Sequence, residues 1–252
     1  MSTEINLIPK FVDKAMSPVA ESVGNSIANI WDLVFGNHIK LWKQKQEFKH
    51  QKNYQDYVER VNNKISEIPI ESLVEPSLHI IGPAIEASKF YIDSIELREM
   101  FANLIAASMN ENMVDTIHPS YVEIIKQISP DEAKLLKFMH GGNYPFYNVY
   151  SLQGGNQKIT LMRYFSIIGF QAGCQNPENI TVYLDNLNRL GLIQLDSTRF
   201  IADHSQYVEI EENTFFKEAI EHLSLFDDKI EKHKGFIEST LYGINFYKSC
   251  IE

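Results

Sequence analysis

Several residue pairs in this chain have spacings that could support chemistry. Arg199 and His204 are separated by four residues, the spacing at which an arginine and a histidine on one helix form a ribonuclease site. Arg199-Phe200-Ile201, however, follows the turn-forming Asp196-Ser197-Thr198 and reads as β, so the two side chains would not share a helical face. Phe200 also stands where a polar residue is usual. Pro130-Asp131-Glu132-Ala133-Lys134 resembles a metal-dependent nuclease motif, but such sites set carboxylates and lysine on paired strands. Ser129, Pro130 and Glu132 together make a helix start instead: an N-cap serine, a proline in the first helical position and a capping-box glutamate. Glu47-Phe48-Lys49-His50 has the carboxylate–histidine spacing of di-iron bundles, which need that motif twice and two further glutamates. No second copy occurs. His118, next to Pro119, reads as a cap or packing residue at a helix start. No P-loop, dinucleotide fingerprint or nucleophile elbow is present. A triad assembled from distant residues stays open. The expectation is therefore no catalytic residue, no metal and no cofactor. One binding candidate remains: Lys40, Lys43, Lys45, Lys49 and Lys52 form the only concentrated basic stretch, to be read as a nucleic-acid or partner contact or as a solvated face.

Composition narrows the classes. The 252 residues are 44% hydrophobic and 22% charged, which is ordinary for a folded globular chain of one large or two modest domains. A formal charge of −10 disfavours broad nucleic-acid binding, because phosphate attraction supplies its sequence-independent part. Residues 129–252 carry 11 Lys or Arg against 16 Asp or Glu, a net of −5. Cys174 and Cys250 form neither a disulfide framework nor a CxxC pair, which suits a reducing cytoplasm. No apolar run reaches the roughly 18 residues of a spanning helix, and no secretory leader is expected.

The elements that would position these residues are mostly helical. Ile5, Ile8, Phe11, Ala15, Met16, Val19, Val23, Ile27, Ile30, Trp31 and Val34 form an amphipathic stripe, split by Ser17-Pro18 as N-cap and first residue. Lys10 and Lys14 are outnumbered by Glu4, Asp13, Glu21 and Asp32, so the stripe lacks the cationic face of a membrane-surface helix and should pack on the protein's own core. The spacing predicts a helix from Ile39 to Ile68, ended by Pro69. Pro76 and Pro83 flank a short segment. Asp93-Ser94-Ile95-Glu96 caps a helix to about Met109 that is apolar around most of its circumference, as a central helix should be. Further helices are predicted from His118 to Ile128 and over 130–139.

After Gly141-Gly142 the pattern changes to shorter runs. It predicts a strand at 146–151, helices at 158–170 and 177–190 with Gly191 as C-cap, strands at 192–195, 199–201 and 206–211, a helix near 213–233, a strand at 235–239 and a closing helix at 240–251. The fold expected is mainly α: a helical domain at 1–128, then a winged-helix-like α+β domain with a small β-sheet at 129–252.

Lys64-Ile65-Ser66-Glu67-Ile68-Pro69, Gly82-Pro83-Ala84-Ile85-Glu86-Ala87, the run from Leu97 to Met109, and His118 through Ala133 occur in series. This series resembles the signature of the Abi-alpha (abortive infection alpha) family of bacterial phage-defence proteins, most clearly over residues 60–135. Asn186-Leu187-Asn188-Arg189-Leu190-Gly191-Leu192-Ile193 and Tyr242-Gly243-Ile244-Asn245-Phe246 match its C-terminal half in kind. The resemblance implies a role in defence and transfers no catalytic residue. The expected function is a non-enzymatic interaction or sensor module in the cytoplasm, whose partner is a protein of phage, host or defence-locus origin. The alternatives are a toxic effector, acting as an unrecognised nuclease or through a membrane-acting N-terminal helix, and a DNA-binding winged-helix regulator reading with residues 181–190.

Overall fold

A computed structural model describes residues 18–44, 48–153, 157–225 and 229–252. The chain divides into two compact units, one of residues 1–130 with Lys248–Glu252, the other Asp131–Tyr247. Ile5, Ile8, Phe11, Ala15, Met16 and Ser17 lie outside the described residues.

The first unit is helical: α1 (Pro18–Gln44), α2 (Phe48–Glu67), α3 (Leu78–Ser88), α4 (Ile95–Ala107) and α5 (Tyr121–Ile125). Where the sequence predicts one helix over 39–68, α1 runs to Gln44 and α2 starts at Phe48. The physical reason is that two apolar stripes face each other. Ile27, Trp31, Phe35 and Ile39 on α1 and Tyr54, Tyr57, Val61 and Ile65 on α2 are all buried. Trp31 stacks on Phe35 and Tyr57 with ring centroids 5.1 and 5.2 Å away, and its indole N–H donates to the Tyr54 hydroxyl at 2.7 Å.

α3 runs through Pro83 rather than stopping there. Helix α4 begins as its cap predicts, the Ser94 hydroxyl accepting the Leu97 N–H, and buries every residue from Met100 to Ala107. The helix predicted from His118 to Ile128 shrinks to the short α5. The preceding turn is held by the Ser120 N–H donating to His118 Nδ1 at 3.2 Å.

The second unit holds most of α6 (Pro130–Met139), then β1 (Tyr144–Gln153), β2 (Gln157–Phe165), α7 (Ile168–Gln171), α8 (Ile180–Arg189), β3 (Ile193–Asp196), α9 (Ser205–Glu212), α10 (Thr214–Ser224), β4 (Ile230–Ser239) and α11 (Leu241–Cys250), whose last three residues belong to the first unit. The strands form an antiparallel sheet in the order β2-β1-β4-β3.

Five predicted elements change here. Residues 157–165 form a strand, not a helix, because they pair with β1 from Gln153↔Gln157 to Tyr147↔Phe165. Residues 206–211 are helical, not extended: Tyr207 and Ile210 are buried three residues apart, on one helical face. The charged helix ends at Ser224, and β4 begins at Ile230, five residues before the predicted strand. Arg199–Ile201 does not pair with β3, whose partner is β4. Gly191 ends α8 at φ +75°, as its C-cap role requires. Gly235 is required by packing, since a Cβ there would stand 2.4 Å from the Phe146 ring.

Replacing Trp31 with Ala removes the centre of the α1–α2 aromatic cluster and the indole N–H that donates to the Tyr54 hydroxyl. A loss of about 3–5 kcal/mol is expected, measured as a shift in the urea unfolding midpoint. A shift below 1 kcal/mol would place the core elsewhere.

Candidate functional site

The polar residues of the Leu97–Met109 run converge with those of α2. Asp56, Arg60 and Lys64 recur every four residues along α2 and so lie on one face, while Arg98 and Glu99 project from the first two turns of α4. Arg98, 4% exposed, pairs with Asp56 at 2.8 Å and donates to the Ile92 carbonyl at 2.6 Å. Arg60 pairs with Asp56 at 2.6 Å and also with Glu99, and Lys64 reaches Glu99 at 2.7 Å.

Three cations thus hold two carboxylates. Burial alone would raise the pKa of Asp56, but the Arg60 and Arg98 guanidiniums outweigh it and hold this carboxyl below the ordinary range. For Glu99 burial again acts upward, and Lys64 and Arg60 bring it below the ordinary value.

A cleft of about 390 Å³ opens beyond Lys64. The end of α2, the second half of α4 and the C-terminal residues line it. Ala106 and Ala107 leave room at its floor, and Lys64, Asn110, Lys248 and Glu252 place ammonium, amide and carboxylate groups around it. Asn103 fixes one wall by donating to the Cys250 carbonyl at 3.0 Å, and the Ser249 and Thr116 hydroxyls are 3.0 Å apart. Such a cleft suits recognition of a small polar group.

The five lysines do not form a single described cluster. Lys40 lies exposed on α1, and Lys49 and Lys52 lie exposed on α2; Lys43 is within α1, and Lys45 is outside the described residues. Lys49 comes within 4.0 Å of Asp93.

The other sequence candidates have local tasks. Arg199 folds back onto Asp196 at 2.6 Å and lies over the Phe236 ring, while His204 Nδ1 is 2.7 Å from Lys234 and precedes α9. They share no helix. Asp131 accepts the Gln175 and Asn176 backbone N–H groups at 2.8 and 3.0 Å and the Tyr183 hydroxyl at 3.0 Å. Burial would raise its pKa, but these donors and Lys134 hold it below the ordinary range. Glu132 accepts the Asn186 amide at 2.7 Å. The thiol of Cys174 is pushed up to about 11, first by burial and then by the charge of Asp131. Glu47 is outside the described residues, and His50 lies 3.2 Å from Asp93. Among the described residues no group of three or more His, Cys, Asp or Glu could hold a metal ion.

The α2–α4 network was not singled out from the sequence, although the Asp56-Arg60-Lys64 spacing was its visible half. Its other half needs the helix pairing.

The folded state binds fewer protons at Asp56 and Glu99 than the unfolded chain does. Their stabilisation is complete above the ordinary carboxyl range of about pH 4 and is lost as pH falls through the lower folded values. Unfolding midpoints should therefore drop between about pH 5 and 3, and Glu99→Gln should shrink that drop. An unchanged pH profile in the variant would remove Glu99 from the network.

The abortive infection alpha family model matches residues 49–250. Among solved structures, an uncharacterized protein from the hydrocarbon-degrading marine bacterium Alcanivorax borkumensis SK2 is 19% identical, with 54% of this chain and 93% of that chain covered at a TM-score of 0.38. No curated protein matches the chain.

Proposed function

The chain belongs to the abortive infection alpha family, and from that premise we propose that it acts in phage defence as a non-enzymatic recognition module in the cytoplasm. The cleft beside Lys64 carries this reading: its walls are braced by the ion-paired α2–α4 face, and its lining mixes charges, an amide and an apolar floor. These are the means by which a preorganised site selects a partner without transforming it. The partner is a protein group of phage, host or defence-locus origin.

We read residues 1–128 as a helical domain and 129–252 as a winged-helix-like one used for protein contact. On α8, the helix that would enter a DNA groove, the Asn186 amide is engaged by Glu132, and Arg189 donates to Asn186 at 2.7 Å. The net charge of −5 over residues 129–252 also opposes phosphate contact. Membrane action through α1 is disfavoured by the burial of Ile27, Trp31, Phe35 and Ile39. Among the described residues, no helix is long and apolar enough to cross a membrane.

Lys248 is exposed on the cleft rim, so Lys248→Glu should leave the melting temperature unchanged. It should reduce protection by at least about tenfold, the equivalent of 1.4 kcal/mol in partner affinity, counted as phage plaques on cells carrying each version. Undiminished protection would dismiss the cleft as the recognition surface.

Filter binding at low salt should retain no duplex DNA below micromolar protein. Tight retention would restore the DNA-binding alternative.

A further inference from the structure

Phe48 opens α2 with 73% of its surface exposed, a large apolar side chain beside the exposed Lys49 and Lys52. Lys40 and Leu41, 43% exposed, lie near the end of α1. The start of α2 thus sets an apolar side chain among exposed lysines, in a chain whose formal charge is −10.

Elsewhere in the same unit lies a second groove of about 570 Å³, with Val74, Ile80 and Val114 among its apolar walls and Glu75, Glu111 and Asp115 at its rim. Backbone hydrogen bonds brace it: the Val74 N–H donates to the Met109 carbonyl at 2.9 Å and the Glu111 N–H to the Ser72 carbonyl at 2.8 Å. Glu111 and Asp115 form no ion pair among the described residues.

We propose that this groove receives the Phe48–Lys49–Lys52 corner of a second copy of this chain. The complementarity is double. An exposed phenyl ring matches apolar walls of a size to take a large side chain, and the exposed ammonium of Lys52, joined by that of Lys49 at 4.0 Å from Asp93, matches carboxylates at the rim. The chain itself carries both halves, which favours a second copy over a foreign basic segment. Because corner and groove are different surfaces, the contact is heterologous: each added copy leaves one corner and one groove open, giving a ring or a growing chain. This inference is independent of the recognition cleft beside Lys64.

Sedimentation of the full chain tests it. At low salt the average mass should exceed 29.1 kDa and climb with concentration. It should fall back toward monomer at about 1 M salt, where the screening length is about 3 Å. Lys49→Glu/Lys52→Glu and Glu111→Lys/Asp115→Lys should each weaken assembly about tenfold or more, and mixing the two reversed proteins should restore it. Should the lysine-bearing groove variant misfold by circular dichroism, Glu111→Gln/Asp115→Asn replaces it and should weaken assembly alone. A wild type that stays monomeric, reversals that leave assembly unchanged, or a mixture that does not reassemble would each overturn the proposal. A monomeric wild type that binds a labelled lysine–leucine peptide, with binding lost in Glu111→Gln/Asp115→Asn, overturns it in favour of a foreign basic partner.

Discussion

A guanidinium taken out of water must bring its partners with it. Arg98 meets that demand at its two terminal nitrogens, with the Asp56 carboxylate and the Ile92 carbonyl, while its buried Nε has no hydrogen-bond partner among the described residues, and the demand determines how α2 and α4 can sit. Sliding one helix along the other by a turn would leave the charge buried and uncompensated, a cost of several kcal/mol. Arg60 and Lys64 extend the same constraint along α2 through Glu99. A buried ion pair of this kind adds little net stability over a well-packed apolar pair. Its value is to select one register, and with it the placement of Lys64 beside the cleft.

The apolar contacts work in the opposite way. The cluster of Trp31, Phe35, Tyr54 and Tyr57 supplies cohesion with loose directional demands, since its ring pairs lie at varied tilts between 29° and 58°. α4 is apolar around most of its circumference, and its buried Asn103 is tied to the chain's C-terminal residues. Asn103 holds the Cys250 carbonyl, and the Ser108 hydroxyl donates to the Ile105 carbonyl of its own helix. Asp131 plays the corresponding part in the second unit, gathering the backbone of Gln175 and Asn176 onto the start of α6. In each unit, residues that look reactive in one dimension serve as joints.

Local signals were legible wherever a single residue type answers a single local need. Ser94 as a cap, Pro130 as a helix start, Gly191 as a left-handed stop and the all-round apolarity of α4 could be read directly, as could the family series. The cleft beside Lys64 was not legible. Lys64, Asn110 and Lys248 stand far apart in sequence and have no shared spacing, and the Asp56-Arg60-Lys64 row reveals its role only once Arg98 and Glu99 lie opposite it.

The sequence by itself determined the family, the mainly helical character and the caps and stops of several helices, because these depend on interactions within a few residues. Tertiary structure decided the rest. It made residues 157–165 a strand by hydrogen-bonding them to β1, and paired β3 with the distant β4 rather than with Arg199–Ile201. It also turned 206–211 into a helix by burying Tyr207 and Ile210 together. The site shares this origin: its charges acquire their partners only when α2 and α4 meet, and no spacing along one chain segment encodes a contact that two segments must make.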